Sequence, residues 1–420
     1  MSDDLRSVEQ HLADILALTS VLGPEPEPLS LADAAHRVLA APVLARVDIP
    51  VFDNSAMDGF AVRFADVATA ASDAPVTLRV IADLPAGTEA DPPLRPGEAA
   101  RIMTGSPVPA DADTIVPFED TAAGLSESLE TTAVVRAPRA PGAHIRRRGG
   151  DARAGDEIVP AGSDLGALQL AAAAAAGVDA VVVSRRPRVA VVSTGSELAA
   201  PGAPLRRGQI PESNSTLLAG LCHEAGADIV LVTSVDDTEA AFVGVLERAG
   251  RAGADVVITS GGVSAGAYEV VKNTLAAPAD GAVVSFVKVA MQPGKPQAFG
   301  TLAGGALFFG LPGNPVSAAV SFETFVRPAL RTMLGASSIH RPLLRLPAAV
   351  GWRTPPGRRQ YLPAAIDRTD PARWSVRPAT AGGSGSHLAG GLARAEAYAI
   401  VGAGIDAVEA GDAVDVMLVT

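Results

Sequence analysis

The sequence predicts a multi-domain α/β plus β protein, with a doubly wound α/β unit at its centre. Three observations predict it. Between residues 188 and 334, short apolar β-branched runs alternate with helical stretches, the pattern of βαβ units over a parallel sheet. On either side, from Pro50 to about Val135 and again after Ser337, short β-rich pieces sit between Pro and Gly turns, as in small β domains. Finally, 420 residues exceed one ordinary core, so two to four domains are expected.

Taken in order, residues 5–18 place Leu5, Val8, Leu12, Ile15 and Leu16 at helical spacing, and residues 31–43 suggest a second helix. Residues 76–81 and 114–118 read as strands of the first β region. Residues 138–155 are loop-like and carry Arg146, Arg147 and Arg148. Residues 163–177 are Ala-rich and helical, with Gly177 placed to end the helix. In the central unit, strands over 189–192, 228–233, 256–259 and from 307 alternate with helices over 215–224, 239–249, 268–275 and 316–334. The final region ends on the apolar run 412–419 and reads as a small barrel or sandwich.

Composition excludes several functions. A hydrophobic content of 48% rules out global disorder. The net charge of −12 argues against general nucleic-acid or acidic-membrane binding. Cys222, the only cysteine, leaves no disulfide or Cys-based metal site. The six histidines are scattered without an HxxxH pair. The acidic N-terminus lacks a signal-peptide core, and Ala171 to Ala176 is too short to span a bilayer, so a cytoplasmic protein is expected.

Chemistry is expected where the central strands end, because ligands of open α/β sheets bind there. The strand at Val256 runs into Ser260-Gly-Gly-Val-Ser-Ala-Gly266, and the strand at Leu307 runs into Leu311-Pro-Gly-Asn-Pro315. Ser260, Gly261, Gly262 and Ser264, with Pro312, Gly313 and Asn314, form two glycine-bearing loops whose amides suit phosphate groups. Gly294 and Lys295 add a turn and a cation between them. Glu197, Asp237 and Glu269 fall at the same strand ends. Carboxylates beside phosphates imply a hard cation, most simply Mg²⁺; taken singly, each reads as a cap or a turn residue, and Asp237 before Thr238 suits a cap. The β region carries Asp53-Asn-Ser-Ala-Met-Asp-Gly59, Met103-Thr-Gly-Ser-Pro107 and Arg146-Arg-Arg-Gly-Gly-Asp151. Each fits an ordinary turn, although three arginines also suit an oxyanion.

Together, these strings resemble the molybdopterin molybdenumtransferase family, the MoeA proteins of bacteria and the corresponding domain of gephyrin. The match runs from Phe52-Asp-Asn-Ser-Ala-Met-Asp-Gly59 through Arg101-Ile-Met-Thr-Gly-Ser106, Arg146 to Asp151, Ser193-Thr-Gly-Ser-Glu197, Ser260 to Gly266 and Pro293-Gly-Lys295 to Gly310-Leu-Pro-Gly-Asn314. The Ser260 and Leu311 loops also resemble molybdopterin adenylyltransferases, which leaves a nucleotide enzyme of that kind, or an inactive scaffold, as alternatives. The Asp53–Gly59 string favours the transferase. The resemblance implies insertion of molybdenum from molybdate into adenylylated molybdopterin, with Mg²⁺ required and AMP released. It implies an elongated homodimer whose site lies between subunits, with molybdoenzymes or an adenylyltransferase as protein partners. It also implies roles for Asp58, Thr104, Asp151, Glu197, Asp237 and Lys295 in the reaction, and for Glu269 beside the cation. Its divisions would be residues 1–48 with 143–183, residues 49–142 as an inserted β domain, 184–336 as the α/β domain and 337–420 as the C-terminal β domain. Gln292 stands where the family often has lysine, and Glu269 where aspartate is usual.

Overall fold

The computed structural model describes residues 5–124, 131–137, 140–263, 270–275, 281–380 and 389–419. Its central element is a six-stranded sheet. The strands run in the order Asp228–Val235, Arg188–Thr194, Val256–Ser260, Leu307–Leu311, Pro296–Thr301 and Val283–Lys288. The first four are parallel. The last two form an antiparallel hairpin on the Leu307 edge, so the sheet is mixed rather than purely parallel. Gly300 makes the hairpin possible, because a Cβ there would lie 1.9 Å from the Val283 carbonyl oxygen.

Alternation along the Arg188–Thr194 strand feeds two cores. Val189 and Val191 face one, with Leu218, Cys222, Phe322 and Phe325. Ala190 and Val192 face the other, with Phe242, Val245 and Val271. Helices on both faces make the sheet doubly wound, as expected. The N-terminal helix Val8–Thr19, capped by Ser7, belongs to the first of these cores through Val8 and Ile15, and His11 meets Phe325 edge-on at 4.7 Å. The predicted helix 316–334 is one helical run, Pro315–Ser321 and Arg327–Met333, joined by a π turn over Phe322–Val326. Pro328 lacks the N–H that an ordinary turn would use there.

Residues 31–43 are not a helix. Their amides are used across the chain: His36 N–H donates to Leu165 O, Leu39 N–H to Ser163 O and Ala40 N–H to Val182 O. The left-handed backbone at His36 (φ 61°) also breaks any helical path. Around them Pro26–Ser30 pairs with Ala180–Ser184, and Val43–Leu44 with Glu157–Val159. The chain between these pairs builds a five-stranded sheet in the order Thr114–Pro117, Gly59–Val62, Glu98–Ile102, Val76–Leu84, Thr132–Val135. After the central unit comes an antiparallel sheet of Leu343–Pro347, Arg359–Asp367, Ser375–Pro378, Ala397–Val401 and Ala413–Leu418. Met291–Gln292 joins it in parallel, tying it to the α/β unit. Among the described residues, no helix is long and apolar enough to cross a membrane.

Candidate active site

The carboxyl ends of the four parallel strands border a cleft of ≈ 690 Å³. It lies where the sheet order reverses, between Arg188–Thr194 and its neighbour Val256–Ser260. Of the residues expected from sequence, Glu197, Asp237, Ser260, Gly261, Gly262, Gly294, Pro312, Gly313 and Asn314 line it. Lys295 is half-buried between the lining residues Gly294 and Pro296 without lining the cleft itself. Ser264 and Glu269 lie outside the described residues, as does the start of the predicted helix 268–275.

The glycine loops are shaped by close approach. Gly261 has φ +97°, and a Cβ on it would meet the Thr194 carbonyl oxygen at 2.6 Å. Gly313 lies across from it, its Cβ position 3.4 Å from Gly261 Cα. A side chain at Gly261 would push the loop off the Thr194 strand end, and the closeness of the two loops puts both sets of backbone amides on one cavity.

The carboxylates sit differently from one another. Asp237 does not cap the following helix. Thr238 does so, accepting from Ala241 N–H, while Asp236 accepts from the Thr238 hydroxyl at 2.6 Å. Asp237 Oδ2 instead accepts from Ser196 N–H at 3.0 Å and from Ser196 Oγ at 3.2 Å, locking two strand ends together. Its Oδ1 is clear of protein donors among the described residues. Glu197 is exposed and folds back over Gly195, its Oε2 lying 2.6 Å from where a Cβ would be.

Beneath the loops lies a polar floor that reading the sequence missed. Ser193 Oγ donates to Glu212 Oε1 at 2.7 Å and lies 3.2 Å from Ser260 Oγ. Asn214 Nδ2 donates to Gly313 O at 2.6 Å and to Ser260 Oγ at 3.3 Å. Asn214 therefore joins the two glycine loops from below, and Glu212 holds Ser193 beside Ser260. The available signal was Pro211-Glu-Ser-Asn214, a polar run directly before an apolar helix.

The strings of the inserted β sheet converge elsewhere. Asn54–Ser55 pairs with Ile145–Arg146, and Ser55 exchanges backbone hydrogen bonds with the Gly105–Ser106 turn. Arg147 is bonded to Asp53 at 2.6 Å and Arg148 to Asp48. Two of the three arginines thus already carry ion-pair partners. Hydrogen bonds from the Arg148 amide and the Arg147 side chain hold the Asp53 carboxyl below its ordinary range. Asp58 accepts from Thr104 N–H at 2.6 Å and from Thr104 Oγ1 at 2.7 Å, and these bonds lower its pKa as well. Asp58, Thr104 and Asp151 are exposed, and none lines the cleft of its own chain.

Comparison with known proteins agrees along the whole chain. Residues 6–177 match the MoeA N-terminal region (domain I and II), residues 190–332 a probable molybdopterin binding domain, and residues 345–419 the MoeA C-terminal region (domain IV). The chain is 44% identical over 366 residues to molybdopterin molybdenumtransferase 2 of Mycobacterium tuberculosis, covering 86% of this chain and 88% of that one. It is 35% identical over 436 residues to molybdopterin molybdenumtransferase 1 of the same organism, with 98% of each covered. A solved MoeA protein from Pyrococcus horikoshii superposes with a TM-score of 0.81 at 26% identity, over 99% of this chain and 100% of that one.

Proposed function

The chain belongs to the molybdopterin molybdenumtransferase family, and on that basis we propose that it inserts molybdenum from molybdate into adenylylated molybdopterin, releasing AMP, in the cytoplasm. The observation that carries this reading is the cleft: two glycine loops on adjacent parallel strands, with Glu197 and Asp237 on the same wall. The loop amides take the phosphate groups, and Lys295 supports them from beside Gly294. Asn214 holds Ser260 and Gly313, one from each loop, so binding does not have to bring these two together.

The donor set fits Mg²⁺. Glu197 and Asp237 are hard oxygen ligands, and Ser196 fixes Asp237 through one oxygen while leaving the other for a cation. Among the described residues no group of three or more His, Cys, Asp or Glu could hold a metal; Mg²⁺ commonly uses one or two carboxylates and fills its shell with water and substrate oxygens. Glu269 is a third candidate ligand. When bound, the ion would offset charge on the phosphate and molybdate oxygens. The protein's own part is positioning and electrostatic stabilisation, with no nucleophile needed from the chain.

Asp58, Thr104 and Asp151 complete the site in a homodimer, where one copy presents its inserted β sheet to the cleft of the other. What supports this is their exposure, away from the cleft of their own chain.

The test is release of AMP from adenylylated molybdopterin by purified protein with Mg²⁺, with and without molybdate. Molybdate-dependent release, with product able to activate an apo-molybdoenzyme, is expected. Tight pterin binding without release at any molybdate concentration would indicate a scaffold, and consumption of ATP without molybdate an adenylyltransferase.

A further inference from the structure

A second cavity, of ≈ 600 Å³, lies where the N-terminal segment, the α/β unit and the chain leading to the C-terminal sheet meet. Among the described residues it shares no lining residue with the cleft. Four arginines line it (Arg186, Arg327, Arg331 and Arg341) against two carboxylates, Asp164 and Glu224. Three of the chain's six histidines, His36, His223 and His340, add further donors. Glu323 and Asp228 also pair with these arginines, Asp228 with Arg186 Nη1 at 3.3 Å.

The acids nearby are committed to other partners. Arg331 grips Asp164 through two bonds of 2.8 and 2.6 Å. Arg341 takes both oxygens of the buried Glu323 at 2.9 Å, and Glu224 at 2.7 Å. Arg327 is left with a single distant contact, 3.8 Å to Glu323, although its side chain is only 14% exposed. Its Nη1 has no hydrogen-bond partner among the described residues, and neither has Arg186 Nε. Burial and the neighbouring Arg341 disfavour the charged form of Arg327, against a smaller opposing pull from Glu323. A buried guanidinium facing other guanidiniums is costly unless an anion joins them.

We propose that this cavity binds a tetrahedral oxyanion of the phosphate class, which completes the partner set of Arg327 and Arg186 and ties the three chain segments together. The site is independent of the reaction assigned to the cleft.

The test is calorimetric titration of the full-length protein with inorganic phosphate, repeated with sulfate. Arg327→Met removes the guanidinium whose Nη1 lacks a partner, and Lys295→Met weakens phosphate binding that belongs to the cleft. Saturable binding is expected to persist in Lys295→Met and to weaken about tenfold or more in Arg327→Met, since a charge-assisted hydrogen bond is lost. Should Arg327→Met misfold, Arg186→Gln on the more open rim gives the decision, with weakened binding again expected. Absence of saturable binding would overturn the proposal, as would its loss in Lys295→Met alone or wild-type isotherms from both arginine variants.

Discussion

The cleft and the turn cluster of the inserted β sheet are both dense in recognisable strings, yet they spend their polar groups in opposite ways. In the turn cluster, Arg147 and Arg148 are neutralised by Asp53 and Asp48, and the backbone of Asn54–Ser55 is fully engaged. In the cleft, Glu212 engages Ser193 and Ser215 in the floor, while Asn214 Oδ1 has no hydrogen-bond partner among the described residues and the rim keeps Asp237 Oδ1 and Glu197 available. The lesson is that a dense motif can be architecture. What marks function is a group held rigidly by one atom and left open at another. By that criterion the turn cluster offers Asp58, pinned through one oxygen by Thr104.

The largest effect should come from Gly261→Ala. Its Cβ would collide with the Thr194 carbonyl at 2.6 Å, at a φ of +97°, so the loop must move. We expect a stability loss of about 1–3 kcal/mol and near-complete loss of AMP release. Wild-type turnover in this variant would break the assignment of the loop amides to phosphate.

Asp237→Ala comes next. Turnover should fall roughly 100-fold or more, while the melting temperature moves by no more than about 3 °C. A large melting shift with retained turnover would make Asp237 a strut between strand ends and erase the distinction drawn here.

The sharpest contrast is between Asp53→Asn and Asp58→Asn. The first loosens a surface ion pair with Arg147, a matter of about 1 kcal/mol or less, and should leave turnover near wild type. The second keeps the fold and should lose turnover. Equal behaviour would mean that the turn cluster has no functional member.

The smallest effect concerns acid. Asp48, Asp53 and Asp58 are held below their ordinary value of 3.8, in each case first by an amide hydrogen bond. In the unfolded chain they return to it. Their contribution is therefore complete above that value, and it is lost as the pH falls below it through the lowered folded values. Amide exchange at Arg148 and Thr104 should accelerate over that range, and Asp53→Asn should flatten the response at Arg148 alone.

Much of this was legible in the sequence, for identifiable reasons. Val256–Ser260 and Leu307–Leu311 are buried throughout, so their apolar runs were unambiguous and the glycine loops after them could be placed. Residues 31–43 misled because their helix-forming side chains say nothing of amides that pair with residues 163–182. The edge hairpin was hidden because its strands alternate only partly, Val283–Lys288 being half-exposed. Glu212 and Asn214 escaped because their partners, Ser193 and Gly313, are distant in sequence. The ion-pair partner of Arg148 escaped for the same reason: Asp48 lies a hundred residues away.

The central claim is that the open groups of the two regions form one site across two copies of the chain. Its most direct test is subunit exchange between Asp58→Ala and Asp237→Ala, each inactive alone. In a closed twofold dimer, random exchange gives mixed dimers with one intact site, so molybdate-dependent AMP release should recover to roughly a quarter of wild type. Mixed dimers that form, yet release no AMP above either parent, would contradict it.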